Sequence, residues 1–281
     1  MMGALRILRH IVVGLAATLA ILAPLWFIGT TMGGKFGFWT PLESFGHVRS
    51  MAENLVIAAL VLGGAALLVA IVFRVAFGRS NAPGVGGYIA GLASLAIGAS
   101  GVYLGQSLTA TFEAVPPIHD ISTDTANPPQ FSASMVQRRE RDDARNTLDY
   151  AAKTVPAFGE AHPQWAGRPL AEVQREAFPD VQPIETGVSP DLAYEAALEV
   201  AREMGWRIAT ESQDALMFEG TDETFWFGFR DDIVVRVTES EAGGAVVDLR
   251  SVSRVGASDL GANADRIEAF TRRLRSSLGE A

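Results

Sequence analysis

The residues best suited to chemistry lie near the C-terminus, in the run Arg250-Ser251-Val252-Ser253-Arg254-Val255-Gly256-Ala257-Ser258-Asp259-Leu260-Gly261-Ala262-Asn263. This run joins an expected strand to an expected helix and gathers guanidiniums, hydroxyls and small residues where the chain turns. Strand alternation sets Asp248, Arg250 and Arg254 on one side, with Leu249, Ser251 and Ser253 on the other. Free amides at a helix start, beside Arg250 or Arg254, are a means of holding a carboxylate or phosphate. Arg250, Ser251, Arg254, Ser258, Asp259 and Asn263 therefore form the candidate ligand-binding set. The plainer reading of the same residues is that Ser258 or Asp259 caps the helix, Arg254 pairs with Asp259 and Asn263 satisfies the loop backbone; caps are commoner than ligands.

A second cluster, His119, Asp120 and Asp124, sits in Pro116-Pro117-Ile118-His119-Asp120-Ile121-Ser122-Thr123-Asp124. A His with an adjacent carboxylate is the start of a general-base pair or a metal site. A third dependable ligand is not evident, since the one other histidine after residue 111 is His162. No Gly-x-Ser-x-Gly elbow is present, and without cysteine there is no thiolate zinc site and no disulfide. The sequence therefore names no metal, no cofactor and no complete catalytic set, and turns that tie down the backbone are the simpler use of this cluster.

The elements around these residues fall into two halves. Three long apolar stretches, at about 11–28, 55–73 and 85–110, fill residues 1–111, and the chain then turns polar. Each stretch meets the roughly 18 apolar residues expected of a spanning helix. None has a charged residue in its middle, so a proton or ion pathway has no carrier. In the third, Gly87, Gly91, Ser94, Gly98, Gly101 and Gly105 recur in alternating steps of four and three. One helix face then carries all six, shaped for close approach of another helix: one of the protein's own spans, or a second membrane protein. Gly29 to Lys35 comes near a phosphate-binding loop, but Phe36 replaces the needed Ser or Thr, and Phe36, Phe38 and Trp39 read as an interfacial aromatic belt.

Arg6, Arg9, Arg74 and Arg79 flank one set of span ends; Lys35 and Arg49, offset by Glu43 and Glu53, flank the other. This charge bias sets the N-terminus in the cytoplasm and the C-terminal half on the far side, the periplasm of a Gram-negative cell. A leader cleaved at Ala23 would leave that placement unchanged, and Pro24 opposes such cleavage.

Residues 112–281 are acidic, near −13 against +4 for the rest, and an acidic domain repels nucleic acid and anionic lipid heads, so neither is an expected partner of it. A Pro-rich arm with apolar anchors (112–183) precedes a compact part (184–281). The arm includes a charged interval, Ser134 to Tyr150, that reads as a short helix. In the compact part, Ser189-Pro190 starts a helix that Gly205 stops. Strands are expected at Trp206–Thr210, Ala215–Thr221, Phe225–Phe229, Ile233–Glu239 and Ala245–Ser253, with Asp231-Asp232 and Gly243-Gly244 as turns. A last amphipathic helix spans about Ser258 to Leu278. The expected class is α+β: a three-helix transmembrane region, then a small antiparallel sheet with two helices on one face.

Three blocks, PPIHDISTDTANPPQF, REAFPDVQPI and VDLRSVSRVGASDLGANADRIEAF, resemble the signature blocks of the bacterial domain-of-unknown-function family number 1499. The likeness covers essentially the whole soluble half, and the charged insert near Gln137 to Arg145 departs from the family pattern. The resemblance brings no reaction or ligand; it implies that the arm and the C-terminal loop belong to one domain. The leading expectation is a multi-pass protein of the bacterial inner membrane whose periplasmic domain binds an envelope partner or a small anionic ligand. The alternatives are an envelope hydrolase using His119 with Asp120 or Asp124, and an assembly factor docking through the third span.

Overall fold

A computed structural model describes residues 2–158 and 161–280. The chain forms two contact units: the residues up to Ala110 with the short piece Phe225–Gly228, and Thr111–Thr224 with Phe229 onward.

The first unit contains three helices long and apolar enough to cross a membrane: α1 (Met2–Lys35), α2 (Pro41–Ala76) and α3 (Val85–Ala114). In hydrocarbon every backbone polar group must be satisfied within its own segment, so such apolar runs are helical. Thr40 and Glu43 form a reciprocal cap at the start of α2, with Pro41 in the first turn. Gly29–Lys35 is the last part of α1 and forms no phosphate loop. Its Gly33 is where the Trp39 indole lies; an added Cβ would fall 2.2 Å from Trp39 Cζ2. The indole Nε1 and the Ser44 hydroxyl both donate to the Thr30 carbonyl, at 2.9 and 2.8 Å.

The small residues of α3 face α2. Ser94 Oγ donates to the Ala59 carbonyl at 2.9 Å. A Cβ on Gly91 would stand 2.8 Å from the Leu67 side chain, one on Gly98 2.7 Å from Leu60, and one on Gly101 2.3 Å from Val56. Gly87 packs on Pro83, while Gly105 has open space about it.

The second unit is a six-stranded antiparallel sheet. Its strands are β1 (Asp120–Ser122), β2 (Ile184–Thr186), β3 (Arg207–Ser212), β4 (Met217–Glu223), β5 (Arg230–Glu239) and β6 (Ala245–Ser253), in the order β1-β6-β5-β4-β3, with β2 also on β6. β1 and β2 share one edge of β6, against Arg250–Val252 and Ala245–Val247. Between them Thr123 continues the edge: its amide donates to the Leu249 carbonyl, and its hydroxyl accepts from the Leu249 amide, both at 2.9 Å. The arm also forms α4 (Ala133–Arg141) and α5 (Leu170–Ala177), and the compact part adds α6 (Pro190–Glu203) and α7 (Ala262–Ser277). Ser189 caps α6 from the Leu192 amide.

Alternation divides the sheet. Phe218, Ile233, Val235, Val237, Val247 and Leu249 face α6 and α7 and join Tyr194, Ala197, Ala201, Ile267, Phe270 and Leu274 in one core. Trp206 stacks on Phe270 with ring centres 5.3 Å apart. The opposite face carries Glu219, Thr221, Asp232, Arg236, Asp248 and Arg250, and the arm covers it.

Two expectations need correction. Phe225–Phe229 is no strand but lies in the β4–β5 connection. The register stops at Glu223↔Arg230, Gly228 takes φ +72°, and the Thr224 amide donates to the Phe229 carbonyl at 2.8 Å. Alternating aromatics imitated a strand where a positive-φ glycine turns the chain. Asp231 and Asp232, expected to mark a turn, lie inside β5 and are buried. Carboxylates are rare in strand interiors, and these are held there by arginines.

Overpacking a close helix contact costs about 1–3 kcal/mol. Gly98→Ile is therefore expected to lower the melting temperature of the detergent-solubilised protein, and Gly105→Ile to leave it near the wild-type value. Equal effects of the two would reject the α2–α3 contact as the role of this stripe.

Candidate functional site

On the arm-covered face the charges form two centres. In the first, Arg250, 0% exposed, grips the equally buried Asp120. Nε donates to Oδ1 at 2.9 Å and Nη2 to Oδ2 at 2.8 Å, and Lys153 Nζ also donates to Oδ2. Arg250 also donates to the Leu148 carbonyl at 2.7 Å and the Pro129 carbonyl at 3.3 Å, between the rings of Phe131 and Tyr150. Burial holds the Lys153 ammonium below the usual lysine range, against the pull of Asp120. Burial likewise pushes the Tyr150 hydroxyl up.

The second centre is Asp232. Its Oδ1 accepts from Arg254 Nη2 and from Thr221 Oγ1, both at 2.8 Å. Its Oδ2 accepts from Arg254 Nε at 2.9 Å and Arg139 Nη1 at 2.6 Å. Arg254 Nη1 also donates to Asp142. Arg254 thus pairs with Asp232 and Asp142 rather than with Asp259. Nearby, Glu219 accepts from the Ser132 amide and hydroxyl, each at 2.6 Å, anchoring the start of α4 to β4.

The helix face has its own polar end. Arg266 of α7 donates to Asp231 at 2.6 Å, to Asp222 at 3.0 Å and to the Ser251 hydroxyl at 3.0 Å. Asn263 Oδ1 accepts from Ser251 Oγ, and its Nδ2 donates to Ser253 Oγ at 3.0 Å and the His119 carbonyl at 3.2 Å. Ser251 and Asn263 therefore work together, on the side of the sheet away from Arg250 and Arg254.

The two candidate segments meet. The Ser253 amide donates to the His119 carbonyl at 2.9 Å, and the Asp259 amide to the Ile118 carbonyl at 3.1 Å. His119 Nδ1 lies 3.3 Å from the Ala257 carbonyl. Where Nδ1 carries the proton and donates to that carbonyl, Nε2 is left as an acceptor; it is enclosed and without a partner among the described residues. Burial first, then the field of Lys153, lowers the His119 pKa and so favours the neutral ring. Asp120 is committed to Arg250 and Lys153. Asp124 accepts from the Ala126 and Asn127 amides at 3.0 and 2.8 Å and from Arg236 at 3.2 Å. Neither supports the imidazole as a third group would in a nucleophile-base-acid arrangement.

The start of α7 is closed from within. Asp259 accepts from the Gly261 amide at 2.8 Å and the Asn263 amide at 3.1 Å, and Ser258 Oγ accepts from the Leu260 amide at 3.2 Å. Burial pushes the Asp259 carboxyl up to about 6, against those two amides. Sequence reasoning missed Arg139, Lys153, Asp231, Asp232 and Arg266. The available signal was the adjacent pair Asp231-Asp232, whose side chains in a strand must point to opposite faces and so need two separate cationic partners.

Removing one member of a buried ion pair strands the other, at a cost of about 3–5 kcal/mol. Arg250→Met is expected to destabilise the domain by that amount in denaturant unfolding followed by tryptophan fluorescence. Arg250→Met with Asp120→Leu should recover much of it. A loss under about 1 kcal/mol for the single variant, the worth of an exposed pair, would contradict this burial.

No curated protein matches the chain. A family match, described as Protein of unknown function (DUF1499), spans residues 120–274, from β1 through most of α7. It takes in both ionic centres and the 250–263 segment, and it begins one residue after His119. Covering more than half of the 281 residues, it shows that the chain belongs to this family of unknown function.

Proposed function

We propose that this is a multi-pass protein of the bacterial inner membrane whose α+β domain stands on the periplasmic side. There it serves as a binding module for an envelope partner or a small anionic ligand. Four basic residues at the ends of the spans on the N-terminal side, against two offset by acids on the other, support the orientation.

The observation that carries the binding role is the enclosed His119 Nε2, at the junction of two segments far apart in sequence. A neutral imidazole acceptor, with the field of Lys153 partly offset by Asp120, suits a group that donates a hydrogen bond. Binding is better supported than hydrolysis because the carboxylates available to His119 are committed elsewhere. It is better supported than assembly through the third span because Gly91, Ser94, Gly98 and Gly101 are already met by α2.

A histidine with a lowered pKa contributes stability that is present above the ordinary imidazole value of 6.5 and is lost as pH falls below it. A site-resolved imidazole titration of the full-length protein should find His119 neutral at pH 6.5; a ring half-protonated there would count against its enclosure. His119→Phe removes the acceptor. Losing one such hydrogen bond, about 0.5–1.5 kcal/mol, should weaken partner or ligand retention in mild detergent several-fold. Unchanged retention in a folded variant would reject this site.

A further inference from the structure

At the end of the helical unit where α1 begins and α2 ends, one charge lacks a counter-charge. Arg9 is only 9% exposed. Its Nη1 donates to the Asn81 carbonyl, its Nη2 lies 2.7 Å from His10 Nε2, and its guanidinium stands 5.5 Å over the Phe73 ring. Its Nε is buried and has no partner among the described residues. Arg6 Nη2 donates to Asn81 Oδ1 at 2.7 Å, and Asn81 Nδ2 donates to the Phe77 carbonyl at 2.8 Å, so Asn81 links both arginines to the end of α2.

The acids of residues 2–110 are Glu43 and Glu53. Glu43 lies in the first turn of α2, and Glu53 stands about 30 Å of helix from Phe73. Exposed Arg6, Arg74 and Arg79 add further positive charge at this end. A cation withdrawn from water without a compensating anion is strongly unfavourable. The apolar run begins at Ile11, so Arg9 and His10 stand at the depth of lipid headgroups.

We propose that Arg6, Arg9, Arg79 and Asn81 form a site for the phosphate of an anionic phospholipid, which supplies the counter-charge Arg9 lacks among the described residues of the helical unit. Basic clusters between helix ends on the cytoplasmic side are suited to such headgroups. The site rests on the membrane reading and is independent of what the α+β domain binds.

The test uses the full-length protein in neutral detergent, titrated with phosphatidylglycerol, phosphatidylcholine or inorganic phosphate. Native mass spectrometry counts retained lipid, and the unfolding midpoint is recorded alongside. Phosphatidylglycerol should be retained about tenfold more strongly than phosphatidylcholine, as two or more nearby arginines imply, and should raise the midpoint. Arg9→Gln should remove most of that preference. Arg6→Gln with Arg79→Gln, both at exposed positions and so sparing the fold, should cut it several-fold. Equal retention of the two lipids, or an unaltered preference in the exposed pair of substitutions, would overturn the proposal. Competition by inorganic phosphate as strong as by phosphatidylglycerol would assign the site to a soluble anion and overturn it as a lipid site.

Discussion

The bidentate pair between Asp120 and Arg250 is the constraint on which the α+β domain depends. Both side chains are 0% exposed, and 130 residues separate them. Once desolvated, each charge requires the other, so the arm has one acceptable register on β6. A slip by one residue would turn Asp120 to the opposite face and leave Arg250 buried and alone. A buried ion pair adds little net stability over an apolar equivalent. Its effect here is selective: it fixes where the arm lies, while the apolar core under α6 and α7 supplies most of the driving force for folding.

The two faces of the sheet thus have different physical tasks. On the helix side, apolar residues pack around Phe270 and Tyr194, and Arg266 closes the polar end. On the arm side, the charges of β4, β5 and β6 meet residues supplied from the first third of residues 112–281. The arm is therefore part of the domain's interior, although its composition resembles a linker. This accounts for the split candidate site. Arg250 and Arg254 face the arm, Ser251 faces Asn263 of α7, and the junction at His119 and Ala257 brings the two sets to one edge.

Much of the architecture was legible in the residues. The apolar runs marked all three long helices because length and hydrophobicity suffice to identify them. Ser189-Pro190 and Gly205 marked α6 through capping chemistry, and β6 came from its alternation. The short strands β1 and β2 were not legible, since three residues carry no periodicity, and they exist only because β6 offers an edge to pair with. Phe225–Phe229 misled because aromatic alternation outweighs one glycine when the turn geometry is unseen. At the candidate site, the alternation of Asp248, Arg250 and Arg254 against Ser251 and Ser253 could be read. Their partners could not, because Asp120, Asp142 and Arg139 are distant in sequence and nothing local announces a long-range ion pair. A polar residue tying down the start of α7 was legible, although the N-cap position itself is Gly261 and Asp259 reaches the Gly261 and Asn263 amides from two residues before it; the commitment of Arg254 to Asp232 was not legible.

The shared edge of β6, closed by β1, Thr123 and β2, has a consequence for the order in which the protein is made. All three pieces leave the ribosome well before the strand they pair with. Asp120 and its neighbours must wait, unpaired and with a charge that needs burial, until β6 has emerged. The domain therefore cannot close its sheet until β6 is available. The same closure then covers one border of the sheet with segments of the protein's own chain, so that border offers no free backbone to a strand from another molecule.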